Sequence, residues 1–331
     1  MEQLSVVSPV MSTTITGCDL DHNPVYPGLP IGRGDSTVTV VIDSGHAWPA
    51  WICIGYPGFP VSMVREQTGS GSMDAIGFRG RTVHTKKNET GFADALFREA
   101  EGLELLGDAI TIAGVSGVRV PEIYSVSEER LEMTAIAPLR QSDDALRQLG
   151  HGLARIHELP QASYGFHRDN YIGLNPQKNR ESDRWGEFFV EYRLGVQVSL
   201  IKDQPVRDRF AQLLESKGGL LAEWLDDRVA GPSLLHGDLW SGNALFDDTT
   251  AWMIDPAVYY GDSEADIAMT EMFGGFGPEF YEAYNETRPL HGDYARKREI
   301  YNLYHFLNHY NLFGGWYLGA CEKGMGVISK R

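Results

Sequence analysis

Leu146, Leu149, Leu153 and Ile156 recur at 3-4-3 spacing with polar residues between them. That spacing places them on one face of a helix, which Pro160 is expected to stop. A second series runs through Phe92, Leu96, Leu103 and Leu106, and predicts a helix from about Phe92 to Leu106. The member missing from its apolar stripe is Glu99. Further helices are expected over Trp185–Leu200 and Val206–Leu225, and most of Glu264–Leu318 reads as helical. Within it Tyr301–Leu318 is aromatic nearly all round, which favours a buried helix. Strand-like runs are Thr37–Ile42, Arg79–Lys87, Val118–Ser125 and Arg130–Ala135, and 244–254 reads as a short hairpin. Gly69-Ser70-Gly71-Ser72 is a turn signal.

The pattern divides the chain. Residues 1–64, with prolines and glycines clustered at Pro24–Gly34 and Pro49–Pro60, form an N-terminal segment whose structure the pattern does not determine. Residues 65–137 read as a small strand-rich N-terminal lobe and 138–331 as a larger, mainly helical C-terminal lobe. The expected fold class is α+β and bilobal.

The chemistry concentrates in Leu234-Leu235-His236-Gly237-Asp238-Leu239-Trp240-Ser241-Gly242-Asn243 and in Asp255-Pro256. Ala244-Leu245-Phe246 and Ala251–Ile254 are apolar arms around Asp247-Asp248-Thr249-Thr250, a run of turn formers. In an antiparallel hairpin the start of one arm faces the end of the other, so Asn243 lies opposite Ile254–Asp255. Asp238, five residues upstream in a glycine-containing loop, reaches the same end. An Asp, an Asn and a second Asp at one hairpin mouth suit a hard divalent cation, which takes oxygen ligands. Phosphoryl transfer uses such a set: one carboxylate receives the proton of the attacking hydroxyl while metal-bound oxygens neutralise phosphate charge. The order is that of the catalytic loop of eukaryotic-like kinases, H-R-D-x-x-x-x-N, written here H-G-D-L-W-S-G-N.

Glu99 fits the same chemistry. A carboxylate on the core face of a helix is costly unless paired, and kinases hold the α- and β-phosphates with a strand lysine fixed by a helix glutamate. Lys86 and Lys87 end the strand-like segment thirteen and twelve residues upstream, and either could be the partner. Gly69 and Gly71 lie ahead of that strand, where a loop over the phosphates would sit.

Composition narrows the partners. The formal net charge of −16 argues against wrapping a nucleic-acid backbone, and no run approaches the ~18 apolar residues of a membrane span. Cys18, Cys53 and Cys321 are too few and too scattered for a disulfide framework or a zinc site. The N-terminus lacks a basic stretch leading into an apolar one, so a cytoplasmic enzyme is the expectation; a monomer is expected as well.

From about Phe97 to Phe313 the chain resembles the fructosamine kinase (ketosamine 3-kinase) family. The resemblance rests on Gly165-Phe166, Asp169–Gln177, Glu187-Phe188-Phe189, Tyr192-Arg193-Leu194, His236–Asn243, Ile254–Ala257, Gly261–Met269 and Phe273-Gly274-Gly275-Phe276. Tyr171-Ile172-Gly173 and Trp240–Asn243 set it apart from aminoglycoside and choline kinases. The resemblance implies a protein-kinase-like fold and ATP-dependent phosphorylation of a free or protein-bound ketosamine on O3, a step of deglycation repair. It implies Asp238 as catalytic base, and Asn243 and Asp255 as ligands of Mg²⁺ or Mn²⁺. Lys86 becomes the phosphate lysine and Glu99 its partner. The segment Glu132–Ala137, including Met133 and Ala135, becomes the hinge that receives adenine. Val83-His84-Thr85 is less apolar than the family's strand, which keeps Lys87 as the alternative. Asp169, Tyr171 and Trp240 are candidates for the sugar and its amine. Asp266 is expected to brace the catalytic loop, and His236 and His157 to serve structure. Two other readings compete: a kinase of aminoglycosides, choline or sugars, and a silent nucleotide-binding protein. The intact Asp238, Asn243 and Asp255 weigh against silence, and the lack of an A-P-E-type segment weighs against a protein kinase.

Overall fold

The computed structural model describes residues 82–330, together with the backbone of four short strands nearer the N-terminus. The chain divides into two units, Met1–Asp74 and Ala75–Arg331. In the first, β1 (Ser12–Ile15) pairs antiparallel with β2 (Val38–Val41), inside the expected Thr37–Ile42 run. Likewise β3 (Trp51–Ile54) pairs with β4 (Ser62–Arg65). The glycine turn with Gly69 and Gly71 lies outside the described residues.

The second unit opens with β5 (Val83–Lys87) and α1 (Ala95–Ile112). The helix starts three residues later than its apolar series suggests. Asn88 accepts from the Thr90 N–H at 3.0 Å and donates to the Phe92 carbonyl at 2.8 Å, and Gly91 takes φ 75°. This turn keeps Phe92 outside the helix. Leu96, Ala100 and Leu103 pack on Leu131 and Met133 as a small core.

The expected strand Val118–Ser125 is instead two, split at Pro121, which has no N–H to give a ladder. β6 (Val118–Arg119) leaves the small sheet altogether, and β7 (Ile123–Val126) stays in it beside β8 (Arg130–Thr134), in the order β5-β8-β7.

Helix α2 (Asp143–His157) is capped by Ser142, whose hydroxyl accepts from the Ala145 N–H. Its Leu146, Leu149, Leu153 and Ile156 are all buried, as the spacing requires. A hairpin of β9 (Asn170–Ile172) and β10 (Asn175–Gln177) follows. The helix expected over Trp185–Leu200 is realised as α3 (Trp185–Phe188), a π-helical stretch (Phe189–Gly195) and α4 (Val196–Ser199). The wide turns accompany burial of Arg193, whose guanidinium lies 3.9 Å from the Tyr259 ring centre. Then α5 spans Gln204–Asp226.

The segment with Asp238, Asn243 and Asp255 comes next: β11 (Ser233–Leu235), then the hairpin of β12 (Ala244–Phe246) and β13 (Ala251–Met253), then β14 (Tyr259–Gly261), which pairs with β11. The Asp247 carboxylate closes the turn by accepting from the Thr249 and Thr250 N–H groups, each at 2.9 Å. β6 adds to β13 in parallel, so the strand that left the small sheet extends this hairpin. Four helices complete the unit: α6 (Glu264–Met272), α7 (Pro278–Thr287), α8 (Tyr294–Phe313) and α9 (Leu318–Ser329). The long aromatic helix ends at Phe313, because Gly314 turns to φ 83°. Leu149, Leu153, Leu235, Ile267, Ile300 and Leu307 share one continuous core. Among the described residues no helix is long and apolar enough to cross a membrane.

Candidate active site

The loop after β11 is held by one buried carboxylate. Asp266, 1% exposed, accepts from the His236 N–H at 2.7 Å and the Gly237 N–H at 2.9 Å. His157 braces Asp266 from behind at 3.3 Å and meets the Tyr284 hydroxyl at 2.9 Å. Burial would push the Asp266 carboxyl up, but its bonds to His157 and the loop hold it below the ordinary range. His236 is buried; its Nε2 lies 3.0 Å from the Ile254 carbonyl, and its Nδ1 accepts from the Asp238 N–H at 3.3 Å. Both ring nitrogens are therefore engaged with backbone groups of the loop and the hairpin mouth, and burial lowers the pKa of the ring. Gly237 is required by its φ of 81° and because a Cβ there would lie 2.1 Å from the Ala257 carbonyl oxygen.

The hairpin mouth forms as its register predicts. The Ile254 N–H donates to the Asn243 carbonyl at 3.0 Å, and Asn243 Nδ2 donates to the backbone oxygen of Asp238 at 2.9 Å and to its Oδ2 at 3.3 Å. With Nδ2 spent on Asp238, Asn243 Oδ1 is the acceptor left to face a cation. Asp255 has φ 53°, the one positive φ outside glycine among the described residues. Such strain persists only where the surroundings enforce it, and it gathers at functional sites. Burial raises the Asp238 carboxyl well above the usual range; the Asp255 charge adds to the rise and the Asn243 bond opposes it.

The small lobe reaches the same point. Lys86 Nζ donates to Glu99 Oε2 at 2.7 Å and to Asp255 Oδ1 at 2.9 Å. Strand alternation separates the two lysines: Lys86 is half-buried and turned toward α1, whereas Lys87 is exposed. Burial alone would lower the Lys86 pKa, but the Asp255 and Glu99 carboxylates outweigh it and the ammonium is held above its ordinary value.

Other predicted residues are placed as follows. Met133 is buried in β8, and the Ala135 N–H is taken by the Thr82 carbonyl at 3.1 Å. The Asp169 carboxylate accepts from Lys178 Nζ at 2.6 Å and the Asn179 N–H at 2.8 Å. The Tyr171 hydroxyl donates to Asp94 Oδ1, across to the start of α1. Trp240 lies edge-on to Phe273, ring centres 5.9 Å apart, and covers Gly242 so closely that a Cβ there would sit 2.3 Å from the indole.

One neighbour was not singled out in the sequence. His305 on α8 is buried and its Nδ1 lies 4.0 Å from Asp238 Oδ1. The available signal was a polar residue beside Tyr304 in the aromatic helix, but a helix buried on all sides gives no face by which to choose it.

The fructosamine kinase family model matches residues 65–330. A probable ketoamine kinase of Vibrio parahaemolyticus is 39% identical over 254 residues, covering 73% of this chain and 83% of that protein. The chloroplastic protein-ribulosamine 3-kinase of Arabidopsis thaliana is 44% identical over 173 residues, 51% of this chain and 53% of its own length. A crystal structure from Thermobifida fusca, provisionally assigned as a fructosamine-3-kinase, superposes with a TM-score of 0.66 at 26% identity, covering 88% of this chain and 93% of that one. The two-lobed α+β fold is that of these kinases, and the chain belongs to the fructosamine kinase family.

Proposed function

We propose that this protein transfers the γ-phosphoryl group of ATP to O3 of the sugar part of a ketosamine, after which the phosphorylated sugar falls away and the amine is recovered. Family membership supports the reaction class, and the similarity to a probable ketoamine kinase and to a protein-ribulosamine 3-kinase supports the acceptor. The observation that carries it is the meeting of Lys86, Glu99 and Asp255 beside Asp238 and Asn243.

Lys86, held by Glu99, presents a fixed ammonium to the phosphates. Asp238 accepts the proton of the acceptor hydroxyl as its oxygen bonds to phosphorus and ADP leaves. The raised proton affinity of the Asp238 carboxylate suits it to receive that proton. Asn243 and Asp255 would hold Mg²⁺ or Mn²⁺. The donor set fits a hard cation: an amide whose nitrogen is already spent on Asp238, and a carboxylate whose negative charge raises its neighbour's pKa. When bound, the cation would neutralise charge on the phosphates. Adenine would lie along the connection after β8, addressing backbone groups beyond the Ala135 N–H, which Thr82 occupies.

The test is ATP consumption with a ribulosyl-amine, a fructosyl-amine, kanamycin and choline side by side, with the product site read by NMR. Turnover of the ketosamines with phosphate on O3 is expected. A preference for kanamycin or choline, or phosphate on another oxygen, overturns the proposed acceptor.

A further inference from the structure

His305 stands out among the buried polar groups. Its side chain is 5% exposed, and its Nδ1 is a buried atom without a hydrogen-bond partner among the described residues. Such a nitrogen costs free energy unless something pairs with it. It points at the catalytic carboxylate, but 4.0 Å from Asp238 Oδ1 is too far for a hydrogen bond.

That gap is the right size for one oxygen atom. An oxygen about 2.8 Å from both atoms, the ordinary bond length, would see them at an angle of roughly 90°. This is close to the separation of two directions on a tetrahedral hydroxyl oxygen. The hydroxyl can then donate to Asp238 while accepting from an imidazole N–H, with its remaining lone pair directed elsewhere. Burial lowers the His305 pKa to about 3, so the ring is neutral at physiological pH and does not quench the neighbouring carboxylate as a counter-ion would.

We propose that His305 Nδ1 donates a hydrogen bond to the same acceptor hydroxyl that Asp238 deprotonates. His305 would thereby fix the direction of its attacking lone pair and select acceptors that carry a hydroxyl there. The inference rests on the sugar-kinase reading of the site and adds a residue to it. An acceptor lacking that hydroxyl leaves the buried His305 Nδ1 without a partner and Asp238 Oδ1 without its donor, which is how a site built for a hydroxyl rejects its deoxy analogue.

The test compares His305→Leu, His305→Asn and wild type on the best ketosamine, with affinities for the ketosamine and its 3-deoxy analogue measured by calorimetry. Asparagine carries its amide nitrogen close to the place of Nδ1; leucine fills the space without a polar atom. His305→Leu is expected to lower kcat/KM for the acceptor by about 10–100-fold, the cost of one lost hydrogen bond to a reacting group. KM for ATP and Tm should stay close to wild type, because the leucine leaves no buried polar group unpaired. His305→Asn is expected to restore most of the activity. The preference of wild type for the ketosamine over its 3-deoxy analogue should shrink in His305→Leu. Unchanged kcat/KM in His305→Leu, or a preference for the hydroxyl that survives the substitution, overturns the proposal. A large drop in Tm with loss of ATP binding as well as turnover would show a structural role and overturn it equally. If wild type itself ignores ketosamines, it is the acceptor reading that falls, and the same variants are then compared on the acceptor that is turned over.

Discussion

Lys86 and Asp255 stand 169 residues apart in the chain and meet at 2.9 Å. One ends the first strand of the small sheet; the other follows the catalytic hairpin of the large lobe. Glu99 completes the contact from α1 at 2.7 Å, so three separate elements place charge at a single point. The contact ties the small sheet and α1 to the segment after β13, where the proposed phosphate site would lie.

The contact separates two adjacent lysines by experiment. Lys86→Ala removes a side chain that bonds both Glu99 and Asp255. A fall in kcat/KM for ATP of about 10²–10³-fold is expected, the scale of losing one preorganised donor to developing charge. Lys87→Ala, at an exposed strand position, should leave stability within about 0.5 kcal/mol and activity nearly unchanged. Steady-state kinetics of both variants decide it, and an active Lys86→Ala beside an inactive Lys87→Ala would reverse the assignment.

Asp238→Asn keeps the shape of the side chain but cannot take a proton. Its kcat should fall by ~10²–10⁴-fold while nucleotide affinity persists. Because burial and the Asp255 charge raise the Asp238 pKa, kcat/KM for the acceptor should rise with pH along a limb centred above the ~3.9 of an ordinary aspartate. Below that point the carboxyl is protonated and accepts nothing. Stopped assays across pH on wild type should show this limb, and its persistence in Asp238→Asn would assign it to another group.

The hairpin mouth could be read from the chain because its determinants are local. Turn formers at 247–250 fix the register, and the register fixes which residues meet Asn243. Glu99 was legible as a carboxylate inside an apolar stripe. The choice between Lys86 and Lys87 was not, since a strand as polar as Val83–Lys87 has no apolar face to set its phase. Nor was the departure of β6, which depends on a parallel pairing of Val118 with Ala251 across 133 residues. His305 and the Tyr171–Asp94 bond escaped for the same reason. Each acquires its meaning from a partner on a distant element, and periodicity carries no information about that partner.

The bracing of the loop has a pH signature of its own. Asp266→Asn places an amide where two backbone N–H groups need an acceptor, a loss of about 2–3 kcal/mol for bonds to a buried charged group. The folded-state pKa of Asp266 lies below its ordinary value. Its contribution to stability is therefore full above the unfolded value of about 3.9 and is lost as pH falls through the folded pKa. Urea unfolding of wild type and Asp266→Asn should show a gap that is widest near pH 7 and narrows below about pH 4. A gap independent of pH would mean that ionised Asp266 is not what holds the loop.

Tyr171 offers the sharpest contrast between a reading of the chain and the position of the atom. Its place in Tyr171-Ile172-Gly173 suggested a contact to the acceptor. In the structure its hydroxyl donates to Asp94 immediately before α1, its ring lies 5.0 Å from Phe92, and burial raises its pKa to about 12. Asp94 also accepts from Arg98 at 3.0 Å, so the bond grips the first turn of the helix that carries Glu99. A tyrosine placed there would act through α1, steadying Glu99 and with it Lys86. Tyr171→Phe keeps the ring contact and removes only the hydroxyl, a net loss of about 0.5–1.5 kcal/mol. Passed along α1 in full, that would lower kcat/KM for ATP by about two- to tenfold with little change in KM for the acceptor. A direct contact to the sugar would give the opposite split, with KM for the ketosamine rising and the ATP parameters constant. Varying each substrate at saturation of the other separates the two, and a rise confined to the acceptor KM would return Tyr171 to the substrate pocket.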